Sequence, residues 1–206
     1  MTTAYITHAD CLRHEMGAGH PENPERLSSV NEHMRNSGLL EQLRCLEAPL
    51  AEARDIKRVH TPAYVDLVFD NAPQEGYAQL DPDTAMNPYS LAAARRAAGA
   101  GVLAVDELMA GRAQNAFCAV RPCGHHATQS RAMGFCIFNN IAVAAAYAVE
   151  SKGLERVAIV EFDVHHGNGT EDMFSAPAWQ SRAIMASACV TKWARATRRI
   201  RSGSAR

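Results

Sequence analysis

The chain has 206 residues, a formal net charge of −1 and 47% hydrophobic residues, values typical of a globular protein of one domain or slightly more. This composition excludes collagen-like, coiled-coil and intrinsically disordered proteins. No segment approaches the ~18 consecutive apolar residues of a membrane-spanning helix, and the N-terminus lacks the features of a secretory signal, so we expect a cytoplasmic protein without a membrane partner.

The charge is distributed unevenly along the chain. Residues 175–206 contain seven basic and no acidic residues, so residues 1–174 carry a net charge of −8. The last 32 residues show neither helical nor strand periodicity. We expect them to lie outside the domain that residues 1–174 begin. Three interpretations of this segment are open: a disordered basic tail, the product of a reading frame lost near Phe174, or a segment that binds a partner. Nucleic acid is the weakest candidate for such a partner.

Six cysteines are scattered along the chain without a C-x-x-C pair. In the absence of a secretion signal we expect reduced thiols rather than disulfides. Their spacing also disfavours a zinc site made of four cysteines.

The first predicted element is a strand over Thr3–Thr7. A helix follows, with Asn23 as its N-cap, Pro24 in its first turn and Gly38 at its end. Leu43–Leu46 is a second predicted strand.

A helix over Ala63–Asp70 comes next. Residues Asn71–Asn87 are rich in Pro, Gly and acidic side chains and are predicted to be a loop. The Asn87-Pro88 pair then opens a long alanine-rich helix that continues to about Ala110.

The second half of the chain contains two apolar strands. Ala116–Val120 is predicted to be buried, and Arg156–Phe162 to be covered on both faces. A helix over Asn139–Lys152 separates them. Alternating strands and helices predict an α/β fold with an open, mostly parallel sheet and flanking helices. Because residues 175–206 add no recognisable strand, we expect this fold to be incomplete at its C-terminal end.

Two potential metal ligands, Asp163 and His165, directly follow the last predicted strand. Side chains two positions apart point the same way on an extended chain, so both can project from the carboxyl edge of the sheet, where such folds place their sites. A carboxylate and an imidazole suit zinc, and Gly167 and Gly169 allow a tight turn around an ion. The alternative is that these residues only cap and line a loop.

A pair of histidines, His125 and His126, follows the other strand, Ala116–Val120. Histidine gains and loses protons near neutral pH, so the pair could take a proton from a metal-bound water and return one to a leaving amine. The alternative is a polar loop without a chemical role.

The segment after these histidines carries Gly134 and Phe135, which could form a wall of an apolar slot. Asn139 is expected to cap the following helix rather than to join a site. Ile137 and Phe138 are expected in the core.

Three segments, RPCGHHA (121–127), MGFCIFNNIAVAA (133–145) and VEFDVHHGNGTEDMF (160–174), together resemble the histone deacetylase superfamily, which also contains acetylpolyamine amidohydrolases and acetoin-utilization proteins. Asn168 and the segments GHPENPERL (19–27), HTPAYVD (60–66) and DPDTAMN (81–87) are similar to its bacterial and class II branch.

The resemblance implies an arginase/deacetylase fold with one catalytic Zn²⁺, held by Asp163, His165 and a further Asp from later in the chain. His125 and His126 would be the acid–base pair. Water activated at the zinc would hydrolyse the amide of an acetyl-lysine or a related acetylated amine, and the products would be acetate and a free amine.

The resemblance also implies roles around this centre. Phe135 and Gly134 would line a narrow substrate channel, and Asp83 would contact the substrate at its rim. The residues expected to support the histidines or a structural K⁺ are Glu161, His166 and Asn168.

Three features depart from the family pattern. Cys123 stands where the family usually has a second proline, and Glu161 where it usually has an Asp that orients a histidine. After Phe174 no counterpart of the later zinc-ligating Asp or of an oxyanion-stabilising Tyr is present. Catalytic zinc sites usually have three protein ligands, so we expect this chain to be impaired or inactive.

Other functions compete with this interpretation. A two-metal phosphoesterase also opens with D-x-H after a strand, but its downstream G-N-H-[DE] motif is absent. An acetylpolyamine amidohydrolase and a non-enzymatic fragment are further alternatives. The acyl group, its carrier, the physiological metal and the oligomeric state are left open by the sequence.

Overall fold

A computed structural model describes residues 1–175, Trp179 and 183–187. Strands and helices alternate along the described chain, and this confirms the predicted α/β class. The strands are β1 (Thr3–Thr7), β2 (Arg44–Glu47), β3 (Ala78–Asp81), β4 (Thr84–Met86), β5 (Asn115–Cys118), β6 (Val157–Glu161) and β7 (Ala183–Ser187). The α-helices are α1 (Glu25–Asn36), α2 (Ala53–Ile56), α3 (Pro62–Asp70), α4 (Ser90–Met109), α5 (Asn140–Glu150) and α6 (Asn168–Phe174).

Parallel pairing dominates the strands, as predicted. Strand β1 lies between β2 and β5, with Tyr5 opposite Cys45 on one side and Phe117 on the other. Strand β6 pairs in parallel with β7 along its whole length. Strand β7 lies beyond residue 174, so the expectation that residues 175–206 add no strand is wrong for Ala183–Ser187. Most of residues 176–206 fall outside the described residues, so the division at 174 stays a prediction.

The prediction of a loop over 71–87 is wrong for part of that segment, where β3 and β4 form an antiparallel hairpin. The strands have only four and three residues, too few for an alternating pattern to be recognised in the sequence. Burial of Ala85 and Met86 against the core holds the hairpin in place.

The predicted burial of the two apolar strands is also wrong in part. Phe117 of β5 is 52% exposed, and along β6 Ile159 is 3% exposed whereas Val160 is 64% exposed. Side chains alternate along a strand, so β6 presents one face to the core and the other to solvent. An apolar run therefore does not show that both faces are covered.

Helix ends follow the predicted capping residues closely. The Asn139 side chain accepts a hydrogen bond from the Ala142 amide at 3.1 Å, which confirms it as the N-cap of α5. Asn23 accepts one from the Glu25 amide at 3.0 Å, but the helix itself begins one residue later than predicted.

One core cluster lies between the helices and the inner face of β6. Gly101 of α4 allows close approach to α5, because an added Cβ would lie 2.9 Å from the Cβ of Ala144. Buried members of this core include Ile56, Val65, Phe138, Val143 and Ile159. Among the described residues, no helix combines the length and the hydrophobicity that crossing a lipid bilayer requires.

Candidate active site

A cleft of about 500 Å³ opens where the segments after β5 and β6 meet. It brings together residues that are up to 82 positions apart, from the segments after β5 and β6 and from the turn between β3 and β4. The sequence-predicted residues that line it are Asp83, His125, His126, Gly134, Phe135, Asp163 and His165.

Backbone hydrogen bonds join the two segments that carry these residues. The amides of Gly169 and Thr170, at the start of α6, donate to the carbonyl oxygen of His125 at 3.0 and 3.2 Å. Gly169 is required here, because a Cβ would lie 2.2 Å from the carbonyl oxygen of Ala127. We call the loop after β5 that carries His125 and His126 the histidine loop. These hydrogen bonds therefore join the histidine loop to the segment after β6.

His125 faces a carboxylate. Its Nδ1 lies 3.7 Å from Oε2 of Glu161, whose other oxygen accepts a hydrogen bond from the Thr170 hydroxyl at 2.6 Å. The Glu161 carboxylate raises the pKa of His125 and favours the imidazolium form. Glu161 therefore reaches the histidine, but at the distance of an ion pair rather than of a hydrogen bond.

His126 has a neutral partner. Its Nδ1 lies 2.6 Å from the side-chain oxygen of Asn168, and burial lowers its pKa. An amide oxygen only accepts, so Nδ1 carries the proton and the lone pair lies on Nε2. The two ring centroids are 4.1 Å apart. The adjacent histidines thus have different partners and opposite pKa shifts.

Asp163 and His165 lie at the open side of the cleft, with 53% and 73% of their side-chain surfaces exposed. The His165 amide donates to Oδ1 of Asp163 at 2.7 Å, and His165 Nδ1 lies 3.3 Å from the same oxygen. Their donor atoms are of the kind that zinc prefers. Within the described part of the chain, however, no group of three or more His, Cys, Asp or Glu side chains could hold a metal ion. These residues therefore fit two positions of a zinc site without completing it.

The turn at Gly134 and Phe135 forms one wall of the cleft. Both residues have positive φ, 57° and 69°. The Gly134 amide donates to Asp83 at 3.1 Å, and the Phe135 amide donates to the Thr84 hydroxyl at 3.0 Å. The structure thus shows Asp83 holding this turn. The Phe135 ring packs edge-on against His20 at 4.6 Å, a contact that the sequence did not predict.

His166 has a different partner from the adjacent His165. Its Nε2 lies 2.5 Å from a carboxylate oxygen of Glu171 on α6. It is not among the residues that line the cleft.

A buried ion pair anchors the start of the histidine loop. The Arg121 guanidinium donates through Nε to Glu22 at 2.8 Å and through a second nitrogen to the other oxygen of the same carboxylate. It also donates to the carbonyl oxygens of Cys11 and His14 at 2.7 and 3.0 Å. Both residues stand in recognised motifs, but sequence reasoning gave them no role because their partners are distant in the chain.

Comparison with known proteins identifies the family to which the chain is related. The family profile of the histone deacetylase domain matches residues 20–187. The histone deacetylase-like amidohydrolase of Pseudomonas aeruginosa is 41% identical over 157 residues, covering 76% of this chain and 41% of that protein. The human polyamine deacetylase HDAC10 is 38% identical over 183 residues, covering 84% of this chain and 27% of that protein.

A solved structure shows the same fold. The crystal structure of the HD domain of HDA15 superposes with a TM-score of 0.80 at 37% identity, covering 89% of this chain and 54% of that one. The chain is thus related in fold and in sequence to deacetylases and amidohydrolases. The chain belongs to the histone deacetylase family. It spans less than half the length of the two curated relatives.

Proposed function

We propose that the chain carries part of the active site of a zinc-dependent deacetylase that releases acetate from an acetylated amine. The observation that supports this most directly is the convergence of His125, His126, Asp163 and His165 on one cleft. Two of these residues are acid–base groups and two are potential metal ligands, the combination that amide hydrolysis by activated water needs.

The partners of the two histidines suggest a division of roles. Asn168 contacts Nδ1 of His126, so the lone pair on Nε2 is available. Through Nε2, His126 takes the proton from the attacking water. His125, whose imidazolium form the Glu161 carboxylate favours, stabilises negative charge and donates a proton to the leaving amine. The attacking water thus gives a proton to His126, and the leaving amine receives a proton from His125.

Asp163 and His165 would hold the zinc. When bound, zinc supplies Lewis acidity that polarises an amide carbonyl and lowers the pKa of water. Two ligands are one fewer than catalytic zinc sites usually have. We therefore propose that this chain binds zinc weakly and works slowly. A structural K⁺ near Glu161 and a cytoplasmic location stay part of the proposal.

The substrate class follows from the wall of the cleft and from the relatives. Gly134 and Phe135 form an apolar part of the cleft wall, which suits the methylene chain of a lysine or a polyamine. Because the relatives are named as an amidohydrolase and a polyamine deacetylase, an acetylated amine is the substrate class that we propose. The cleft does not favour one carrier over the other.

Acetate release tests this proposal. The zinc-supplemented chain is incubated with an acetyl-lysine peptide or an acetylated polyamine, in parallel with His126→Ala. The matched control is His33→Ala, an exposed histidine on α1. We expect slow release that falls at least ~100-fold in His126→Ala and is unchanged in His33→Ala. Equal release by all three proteins, or hydrolysis of a phosphoester instead, would overturn it.

A further inference from the structure

Two thiols face each other beside the cleft. The Sγ atoms of Cys123 and Cys136 are 3.4 Å apart, although the residues are 13 positions apart in sequence. Cys123 precedes the catalytic histidines, and Cys136 follows the turn that carries Phe135. Both cysteines are free thiols in this structure.

The two sulfurs differ in their access to solvent. Cys123 lines the cleft that holds the histidines, so a small molecule that enters the cleft reaches it. Cys136 is completely buried. The Cys136 thiol donates to the sulfur of Cys123, which lowers the pKa of Cys123, and burial raises the pKa of Cys136. The accessible thiol is therefore the more readily ionised of the two, as a reactive cysteine requires.

We propose that Cys123 and Cys136 form a reversible redox pair, oxidised to a disulfide by a peroxide. The Cys123 thiolate attacks one peroxide oxygen, the O–O bond breaks, and hydroxide leaves while Cys123 becomes a sulfenic acid. The Cys136 sulfur then attacks the Cys123 sulfur, and its proton and the sulfenic hydroxyl leave as water. With hydrogen peroxide as the oxidant, the departing hydroxide takes up the proton that Cys123 lost on ionisation. The two cysteines lose two electrons in total, and the hydrogen peroxide is reduced to two molecules of water.

The new bond would act on the wall of the cleft. The thiols of Cys136 and Cys123 contact the carbonyl oxygen of Gly134 at 3.3 and 3.9 Å. A disulfide brings the sulfurs to about 2.05 Å and removes both thiol donors. The adjoining turn carries Phe135 and packs against the His126 ring, so oxidation changes the groups that we propose to be catalytic. This consequence, unlike the disulfide itself, rests on the proposed function.

A peptide map tests the disulfide without any activity assay. The reduced chain is treated with hydrogen peroxide in the presence of a chelator, alkylated and digested with trypsin. Cleavage at Arg131 separates Cys123 from Cys136 unless a disulfide joins them. We expect a linked peptide pair in most chains, lost after treatment with a reductant. Unlinked peptides in the oxidised wild type, or a sulfenic acid at Cys123 that does not proceed to a disulfide, would overturn the proposal.

Single cysteine-to-serine substitutions show which residues form the disulfide. Cys118 lies in the same tryptic peptide as Cys123, so Cys118→Ser is the matched control and should keep the link. Cys123→Ser should lose it and leave Cys136 unoxidised. Cys136→Ser should accumulate a sulfenic acid at Cys123 that a dimedone probe labels. A link that survives in Cys123→Ser would contradict the assignment. The wild-type map needs no variant to fold, and it is independent of acetate release, so failure of either proposal can be recognised separately.

Discussion

The Nδ1 atom of His126 lies 2.6 Å from the side-chain oxygen of Asn168, across 42 positions of sequence. This contact joins the loop after β5 to the first turn of α6. It also fixes which nitrogen of the ring carries the proton, since an amide oxygen accepts but does not donate. The chemistry proposed for His126 depends on this tautomer.

Replacing Asn168 by Leu tests the tautomer. Leu has a similar size but accepts no hydrogen bond, so we expect a mixture of His126 tautomers and acetate release lower by about 10–100-fold. Nitrogen chemical shifts of the imidazole measure the tautomer directly. Asn168→Asp, which keeps an acceptor, is the control and should keep the proton on Nδ1. An unchanged tautomer in Asn168→Leu would show that the contact does not set it.

Gly134 separates the Phe135 turn from the His126 ring. An added Cβ would lie 2.5 Å from Cδ2 of His126, so Gly134→Ala should displace that ring and shift its NMR signals. Gly76→Ala is the matched control, because Gly76 also has positive φ but nothing lies within 4 Å of the added Cβ. We expect the control to lose ~1–2 kcal/mol of stability through backbone strain alone, without a change at His126. Equal effects of the two substitutions on His126 would contradict the packing.

The buried Arg121–Glu22 pair should matter far more to stability than an exposed pair. Arg121→Met leaves the Glu22 carboxylate buried without its cation, and we expect a loss of about 3–5 kcal/mol. Arg54 and Glu52, whose side chains are 74% and 61% exposed, form an exposed pair, so Arg54→Met should cost less than ~1 kcal/mol. Urea denaturation measures both. Similar losses in the two variants would show that Arg121 does not anchor the histidine loop as described.

Buried His60 should make the fold sensitive to acid. Its Nε2 accepts a hydrogen bond from the Asn139 amide at 2.9 Å, and burial lowers its pKa to about 4. Below the ordinary His pKa of ~6.5 the unfolded chain binds a proton that the folded chain does not, so stability falls by up to about 1.4 kcal/mol per pH unit between pH ~6.5 and ~4.

His60→Gln removes this titration while keeping an acceptor for Asn139. Measured by urea denaturation at several pH values, the variant should lose less stability than the wild type between pH 6.5 and 4.5. His14, whose pKa burial lowers to about 3, still contributes in both proteins. Parallel stability curves for the two proteins would mean that His60 is not kept neutral by the fold.

The sequence predicted the positions of strands and helices better than it predicted which of their faces are buried. Strong local signals, such as the Asn139 cap of α5 and the apolar β1, were sufficient to predict those elements. Local pattern does not record which neighbour covers a strand, and so the exposure of Val160 and Phe117 was missed. The hairpin of β3 and β4 was missed because its strands are too short to show a period.

The site was predictable to the extent that it depends on strand ends. His125 and Asp163 each follow a strand, and both line one cleft, as their positions after strands predicted. Among the described residues β5 and β6 belong to different sheets, so the two segments are joined by the hydrogen bonds of Gly169 and Thr170 to His125 rather than by strand pairing. The contacts of Arg121 with Glu22 and of Phe135 with His20 join segments about 100 positions apart. Such pairings depend on how loops pack, which one sequence does not specify.

Zinc binding tests the assignment of the ligands most directly. Equilibrium dialysis compares the wild-type chain with Asp163→Asn and with Asp70→Asn, which changes an exposed carboxylate at the end of α3. The proposed site predicts one weakly bound zinc per wild-type chain, at least ~10-fold weaker binding in Asp163→Asn, and no change in Asp70→Asn. Equal zinc binding by Asp163→Asn and the wild type would contradict it.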